Sequence, residues 1–290
     1  MKTNVLVPTD FSENAWVAVE YALRLYKNES CNFYILNVFN LIDPLLPNLL
    51  NMDVGSELYE QAKEESEEEL AKIINKIVLK NGNSQRHNFT TLSVFNNTVE
   101  AIKNTVEEKD IEMIVMGTKG KTNARKSILG SKASYVIEKV RNCPVIVVPE
   151  YGKHQLPKEI VFPTDYKTQL KKRELKSLIH IAKSSLANIA ILHVMESDTL
   201  DENQNRHKRL LEEIFEEVSC THYTLPEHFM KKASYRDLEN IINLFVFSRN
   251  SDMIAFISKK HSMLGAATLK PFLKRVIAHA GVPILVMHEV

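Results

Sequence analysis

"NVLVPTDFS", residues 4–12, is a short apolar run closed by proline, threonine and aspartate, and it returns as "EIVFPTDYK" at residues 159–167. "FYILNVF" (33–39) likewise returns as "IAILHVM" (189–195), and "IEMIVMGTKG" (111–120) as "SDMIAFISKK" (251–260). "NCPVIVVPE" (142–150) returns as "GVPILVMHE" (281–289). Four matches in one order, at offsets of about 140 to 156 residues, indicate a tandem duplication. The polar segment 151–157 is the expected boundary, giving halves 1–150 and 151–290 of ordinary domain size.

Inside each half, short apolar runs alternate with amphipathic segments. The runs 5–7, 33–38, 113–116 and 145–148 read as strands buried on both faces. Between them, Trp16, Val19, Leu23 and Tyr26 recur at helical spacing. So do Leu58, Ala62, Leu70, Ile73, Ile74 and Ile77, with residues 64–69 as an acidic solvent face, then Val99, Ile102 and Val106, and finally Ala133, Val136, Ile137 and Val140. This alternation predicts an α/β fold with right-handed crossovers and a five-stranded parallel sheet in each half. The last runs of the two halves, 144–150 and 283–289, are expected to be edge strands that pair with each other. That pairing gives an intrachain pseudo-two-fold, a second copy in a homodimer being the other arrangement. The apolar, proline-punctuated segment 40–56 reads as a lid or a connection.

Composition narrows the function classes. Hydrophobic residues make up 44% and charged residues 25% of the chain, as in globular proteins, and the net charge of +1 argues against a nucleic-acid partner. Cys31, Cys143 and Cys220 lie far apart with no CxxC, which points to a reducing cytoplasm rather than a disulfide framework. The first residues are too short an apolar stretch for a signal peptide, and the greasiest segment is broken by Asp43, Pro44 and Pro47, so no membrane span is expected.

Ligands of open parallel sheets bind beyond the carboxyl ends of the strands, where strand order reverses. Two stretches qualify: the Pro8-Thr9-Asp10 turn and "GTKGKTNARKSILGS" at 117–131. The second lacks the earlier glycine of a P-loop, since Val115 stands there. What it has is Gly117-x2-Gly120-x9-Gly130-Ser131, with Lys119, Lys121, Arg125, Lys126 and Lys132 adding positive field. Glycines after a strand let backbone N–H groups approach a ligand, and Gly130-Ser131 opens a helix whose positive end suits an anion. Plainer roles exist for the same residues. Asp10 and Asp165 suit helix N-caps, as does Ser131, and Val38 and Met116 are core-like by type.

The chain resembles the universal stress protein family, as a tandem member, along both halves. The nucleotide-binding members of that family carry G-x2-G-x9-G-[ST] after the fourth strand and an aspartate ending the first, matched here by Gly117, Gly120, Gly130, Ser131 and Asp10. The resemblance implies two Rossmann-like, adenine nucleotide alpha hydrolase-like domains and an ATP or AMP ligand, with Asp10 as a contact for Mg²⁺. It places Pro8, Thr9 and Asp10 at ribose and adenine, and Val38 against adenine. Met116, Gly117, Lys119 and Gly120 would line ribose and phosphates, and Gly130, Ser131 and Lys132 the phosphate tail. In the second half Ile257 and Lys260 stand for the first two glycines and Leu269-Lys270 for Gly130-Ser131, with one residue missing from the loop, so no nucleotide is expected there. Neither a Ser–His–Asp spacing nor a metal cluster stands out. The expectation is a nucleotide-binding stress-response regulator with an unknown protein partner, the alternatives being a nucleotide-free interaction scaffold or a slow ATPase.

Overall fold

The computed structural model describes residues 2–39, 54–82, 85–118, 130–194, 199–225, 235–258 and 271–289. Segment 40–53, with most of the stretch read as a lid or connection, lies outside them, as do Lys119, Gly120, Lys260, Leu269 and Lys270. The first half runs β1 (Thr3–Thr9), α1 (Glu13–Leu25), β2 (Cys31–Phe39), α2 (Glu57–Asn81), β3 (His87–Phe95), α3 (Thr98–Glu108), β4 (Met113–Gly117), α4 (Ser131–Lys139) and β5 (Val145–Val148). The second repeats the order as β6 (Glu159–Thr164), α5 (Lys176–Ser185), β7 (Asn188–Val194), α6 (Glu202–Ile214), β8 (Cys220–Leu225), α7 (Tyr235–Arg249), β9 (Met253–Ser258), α8 (Pro271–His279) and β10 (Ile284–His288).

The strands form one ten-stranded sheet in the order β3-β2-β1-β4-β5-β10-β9-β6-β7-β8. Pairing is parallel within each half and antiparallel at β5–β10, where Val147, Ile146 and Val145 face Ile284, Leu285 and Val286. An apolar core lies on each face and runs through both halves. Helices α1, α2, α5 and α6 supply one, through residues such as Val19, Leu70, Leu178 and Leu211, and α3, α4, α7 and α8 the other, through Ile102, Val136, Ile242 and Val276. Strands buried on both sides account for the continuous apolar runs. Glu64, Glu65, Glu67 and Glu68 form the solvated face of α2, while Leu58, expected on the apolar stripe, is 49% exposed in its first turn. Trp16 is only half-buried, and Lys76 Nζ lies 3.9 Å over its ring.

Outside the strands, polar contacts also join the halves. Lys274 Nζ lies 2.7 Å from the Glu138 carboxylate, and His180 Nε2 lies 2.9 Å from that of Glu29. The connector packs back on the second half: Lys153 N–H donates to the Gly281 carbonyl at 2.9 Å, and Gln155 donates to Asp252 at 2.6 Å. Gly152 has φ +124, and a Cβ there would overlap the Gly281 carbonyl, so only glycine fits.

The internal alignment is corrected at one point. Strands β4 and β9 begin at 113 and 253, and the buried Ala133, Val136, Ile137 and Val140 of the α4 stripe answer to Leu273, Val276, Ile277 and Ala280, all 140 apart, so no residue is missing between strand and helix. The missing residue falls later, where 140–144 precede β5 but only 280–283 precede β10. The counterparts of Gly130-Ser131 are therefore Lys270-Pro271.

The β5–β10 seam yields a prediction. Ile146 and Leu285 are register partners and fully buried. Leu285→Ala should cost about 2–5 kcal/mol in urea unfolding. If the sheet is one cooperative unit, probes in both halves shift together; a shift confined to the second half shows independent units.

Candidate functional site

The carboxyl end of β1 is held by its own side chains. Thr9 Oγ1 accepts the Phe11 N–H at 3.1 Å, and Asp10 Oδ1 accepts the Ser12 N–H at 3.2 Å. These two short-range bonds stabilise Phe11 at φ +62, a left-handed conformation that costs a non-glycine residue about 1–2 kcal/mol. The second half repeats the device: Thr164 Oγ1 accepts from Tyr166 N–H and Asp165 Oδ1 from Lys167 N–H, with Tyr166 at φ +52. The cap of α1 is Ser12, whose Oγ accepts the Ala15 N–H at 3.2 Å, so Asp10 shapes the turn rather than capping the helix.

The strand ends separate above this turn. Strands β1 and β2 stay paired through Thr9 and Asn37, but β1 and β4 are paired only at Val5–Met113 and Leu6–Ile114. This is the reversal point of strand order, with β2 and β3 on one side and β4 and β5 on the other. Pro8, Thr9 and Asp10 therefore border a crevice whose opposite side is Met116 and Gly117, with Val38 at the end of the neighbouring strand. Met116 and Thr9 are buried and Val38 is half-buried. The amino end of α4 is tied to the same place, because Gly130 N–H donates to the Thr118 carbonyl at 2.7 Å.

Two expectations about the glycines change. A Cβ on Gly117 would lie 2.8 Å from both Cγ and Oδ1 of Asn14, so packing against α1 already requires glycine here. Gly130, not Ser131, is the N-cap of α4, and its N–H is committed to Thr118 rather than left for a ligand. Among the described residues no side chain caps this helix, which leaves the first-turn N–H groups, beginning with Ser131, to partners outside it. Lys132 is exposed on that turn.

A buried polar chain beneath the crevice was not anticipated. Asn37 Nδ2 donates to the Thr9 carbonyl at 2.8 Å, Ser66 Oγ donates to Asn37 Oδ1 at 2.9 Å, and Ser93 Oγ to Ser66 Oγ at 2.7 Å. Asn14 is the second such residue: its Nδ2 donates to the Val148 carbonyl at 3.1 Å and its Oδ1 accepts from Thr118 Oγ1 at 3.2 Å. The signal was available for Asn37, a polar residue inside an apolar strand whose counterpart is His193. That imidazole lies 3.1 Å from the Thr164 carbonyl, and burial pushes its pKa down.

The second half builds the crevice differently. Helix α5 begins at Lys176, although the counterpart of Glu13 is Thr168, so the turn that would press on Ile257 is absent, and Ile257 packs, partly buried, against the core. Helix α8 begins with Pro271, which has no N–H to offer. Among the described residues no group of three His, Cys, Asp or Glu is placed to hold a metal ion, and no helix is long and apolar enough to cross a membrane.

Comparisons with known proteins agree with this architecture. The profile of the Universal stress protein family matches residues 1–149. Two universal stress proteins of Methanocaldococcus jannaschii are similar to the chain. One is 32% identical over 151 residues, covering 51% of this chain and 83% of the relative. The other is 28% identical over 155 residues, covering 51% and 95%. The solved structure of a universal stress protein from Archaeoglobus fulgidus superposes with a TM-score of 0.69 over 99% of this chain and 96% of that one, at 21% identity. At that identity the likeness speaks for the fold.

The Asn14–Gly117 contact is testable. Gly117→Ala should destabilise the protein by about 1–3 kcal/mol through overpacking. In an Asn14→Ala background the added cost should shrink to what the 3.0 Å approach to the Asn14 carbonyl still imposes. Additive losses in chemical denaturation would show that Asn14 is not the obstructing group.

Proposed function

The chain belongs to the universal stress protein family, and from that premise we propose that its first half holds one adenine nucleotide, ATP or AMP, as a regulatory ligand. The observation that carries this reading is the convergence at the β1/β4 crevice of Asp10, the glycine-ended strand β4 and the amino end of α4 without a side-chain cap. A phosphate there would accept first-turn N–H groups and meet the positive end of the helix dipole. Asp10 is the residue that would meet ribose or a phosphate-bound Mg²⁺, and Pro8, Val38 and Met116 would supply apolar surface to the base. Lys119 and Gly120, which lie in sequence between β4 and α4, complete the set. The reading is of a binding protein whose liganded state is recognised by a protein partner in a stress response, because no evident water-activating base accompanies these residues.

The commitment of Gly130 N–H to Thr118 is the observation that favours a nucleotide-free scaffold, so the experiment separates the two. Ser131→Pro copies the second half's Pro271, removing one N–H and a hydroxyl at a position where proline is well tolerated. It should weaken ATP binding about tenfold to a hundredfold, the effect of losing a charge-assisted hydrogen bond of ~1.5–3 kcal/mol, with thermal stability unchanged. Ser131→Ala isolates the hydroxyl. Calorimetric titration of the intact chain should give one site. Two equal sites, or an affinity indifferent to Ser131→Pro, contradict the reading, and absence of binding leaves the scaffold.

A further inference from the structure

One tyrosine of the second half gathers histidines from three different elements. Tyr166 is 3% exposed and stands at φ +52 in the turn that closes β6. His193 of β7 lies against its ring, with centroids 4.7 Å apart, and donates from Nδ1 to the Thr164 carbonyl of the same turn at 3.1 Å. His207 of α6 donates from Nδ1 to the Tyr166 carbonyl at 2.8 Å, and Gln204 on that helix donates to the Asp165 carbonyl at 2.9 Å. His222 of β8 places Nδ1 3.2 Å from the Tyr166 hydroxyl. The first half has Phe11 for Tyr166 and Asn37 for His193, and its β2–β3 register puts Thr91 where β7–β8 puts His222. None of those three titrates near neutral pH.

Protons would disturb this arrangement at two of the rings. The Glu212 carboxylate on α6 lies 3.5 Å from His222 Nε2. A carboxylate only accepts, so the neutral ring carries its proton on Nε2, and its Nδ1 accepts from the Tyr166 hydroxyl. A second proton on Nδ1 makes it a donor, and the hydroxyl hydrogen loses that acceptor. His193 can keep its bond to the Thr164 carbonyl in either state, but its charge would lie at a site 4% exposed. Burial, reinforced by Lys208 of α6 and opposed by the Thr164 carbonyl and Asp165, holds the His193 pKa below its ordinary value. Burial likewise lowers that of His222, with Glu212 opposing and Lys208 adding to the effect. Among the described residues the charges facing the pair are thus Asp165 on the β6 turn and Lys208 and Glu212 on α6, a net of one negative charge against two imidazolium ions, or three with His207.

We propose that this cluster is a pH-sensitive latch on the second half: with the imidazoles neutral it ties α6 and β8 to the β6 turn, and mild acid releases them while the first half stays closed. Release uncovers the apolar inner side of α6, including Leu211 and Ile214. The latch belongs to the half that offers an anion no helix end, so it stands apart from nucleotide binding at the β1/β4 crevice. An imidazole whose folded pKa lies below its unfolded value of 6.5 contributes its stability in full above that value and loses it as pH falls toward the folded one. Opening therefore takes up protons, and acid favours it.

Two measurements on the full chain test this. In an NMR titration the ring resonances of His193 and His222, assigned through their couplings to the backbone, should both titrate below 6.5. Hydrogen exchange, corrected for intrinsic rates, should show protection in α6 and at residues 164–167 falling by up to about tenfold per imidazole from about pH 7.5 to about pH 5.5. Protection at residues 9–12 of the first half should hold. His193→Asn installs the first half's residue, and His222→Gln keeps a polar partner for the Tyr166 hydroxyl. Each should reduce the pH dependence and the pair abolish it, whereas a merely structural role would lower protection equally at both pH values. Either ring titrating at or above 6.5, an equal loss in the two halves, or an unchanged pH dependence in the double variant overturns the proposal. The wild-type ring titration and the comparison of halves decide the matter even where a variant fails to fold.

Discussion

Val145, Ile146 and Val147 are fully buried, with β4 along one flank and β10 along the other, and this double pairing determines what the rest of the molecule can be. An apolar strand with one open edge would present unpaired N–H and C=O groups to any chain of similar pattern. Closing it with β10 joins two sheets into one and lets each core run across the junction. It also fixes the geometry of everything nearby. Because the two strands are antiparallel, the carboxyl ends of the parallel strands point opposite ways in the two halves, and so do the crevices at β1/β4 and β6/β9.

The fold was largely legible because the signals that set it are local and repeated. Strands buried on both faces write continuous apolar runs, and helices on a sheet write a stripe, so the element order could be read twice in the same chain. Residues that act across elements were not legible in this way. Nothing near Gly117 in sequence says that Asn14 will lie against it, 103 positions earlier, nor that Gly130 will give its N–H to Thr118. Glycine there was read as room for a ligand, whereas at 117 the room is taken by the protein's own α1. The misplacement of the gap by one residue has a similar origin. The loops between β4 and α4 and between β9 and α8 share too little pattern to align, and only the burial of Leu273, Val276, Ile277 and Ala280 fixes the correspondence with α4.

The divergence of the halves follows from one shift in where a helix begins. Starting α5 at Lys176 removes the turn that would meet residue 257, so a branched side chain is accommodated where the first half allows only glycine. With Pro271 opening α8 as well, the second half keeps the turn geometry of Thr164, Asp165 and Tyr166 but not the helix end that an anion would use. The Thr-Asp-aromatic turn is thus a folding device common to both halves, and its presence alone says little about binding. Discrimination between the halves lies in the backbone at the ends of β4 and α4.

The ion pair between Lys274 and Glu138 carries a different lesson. The positions related to these two are Ser134 and Ala278, so the contact exists once, on one side of the seam. In an assembly of identical subunits such an arrangement is impossible, because each residue appears twice and any contact it makes is duplicated about the axis. Covalent fusion lifts that rule while keeping the two surfaces at high effective concentration. A substitution on one side of the junction then need not be compatible with a copy of itself on the other, which lets the two ends of a single interface be tuned independently.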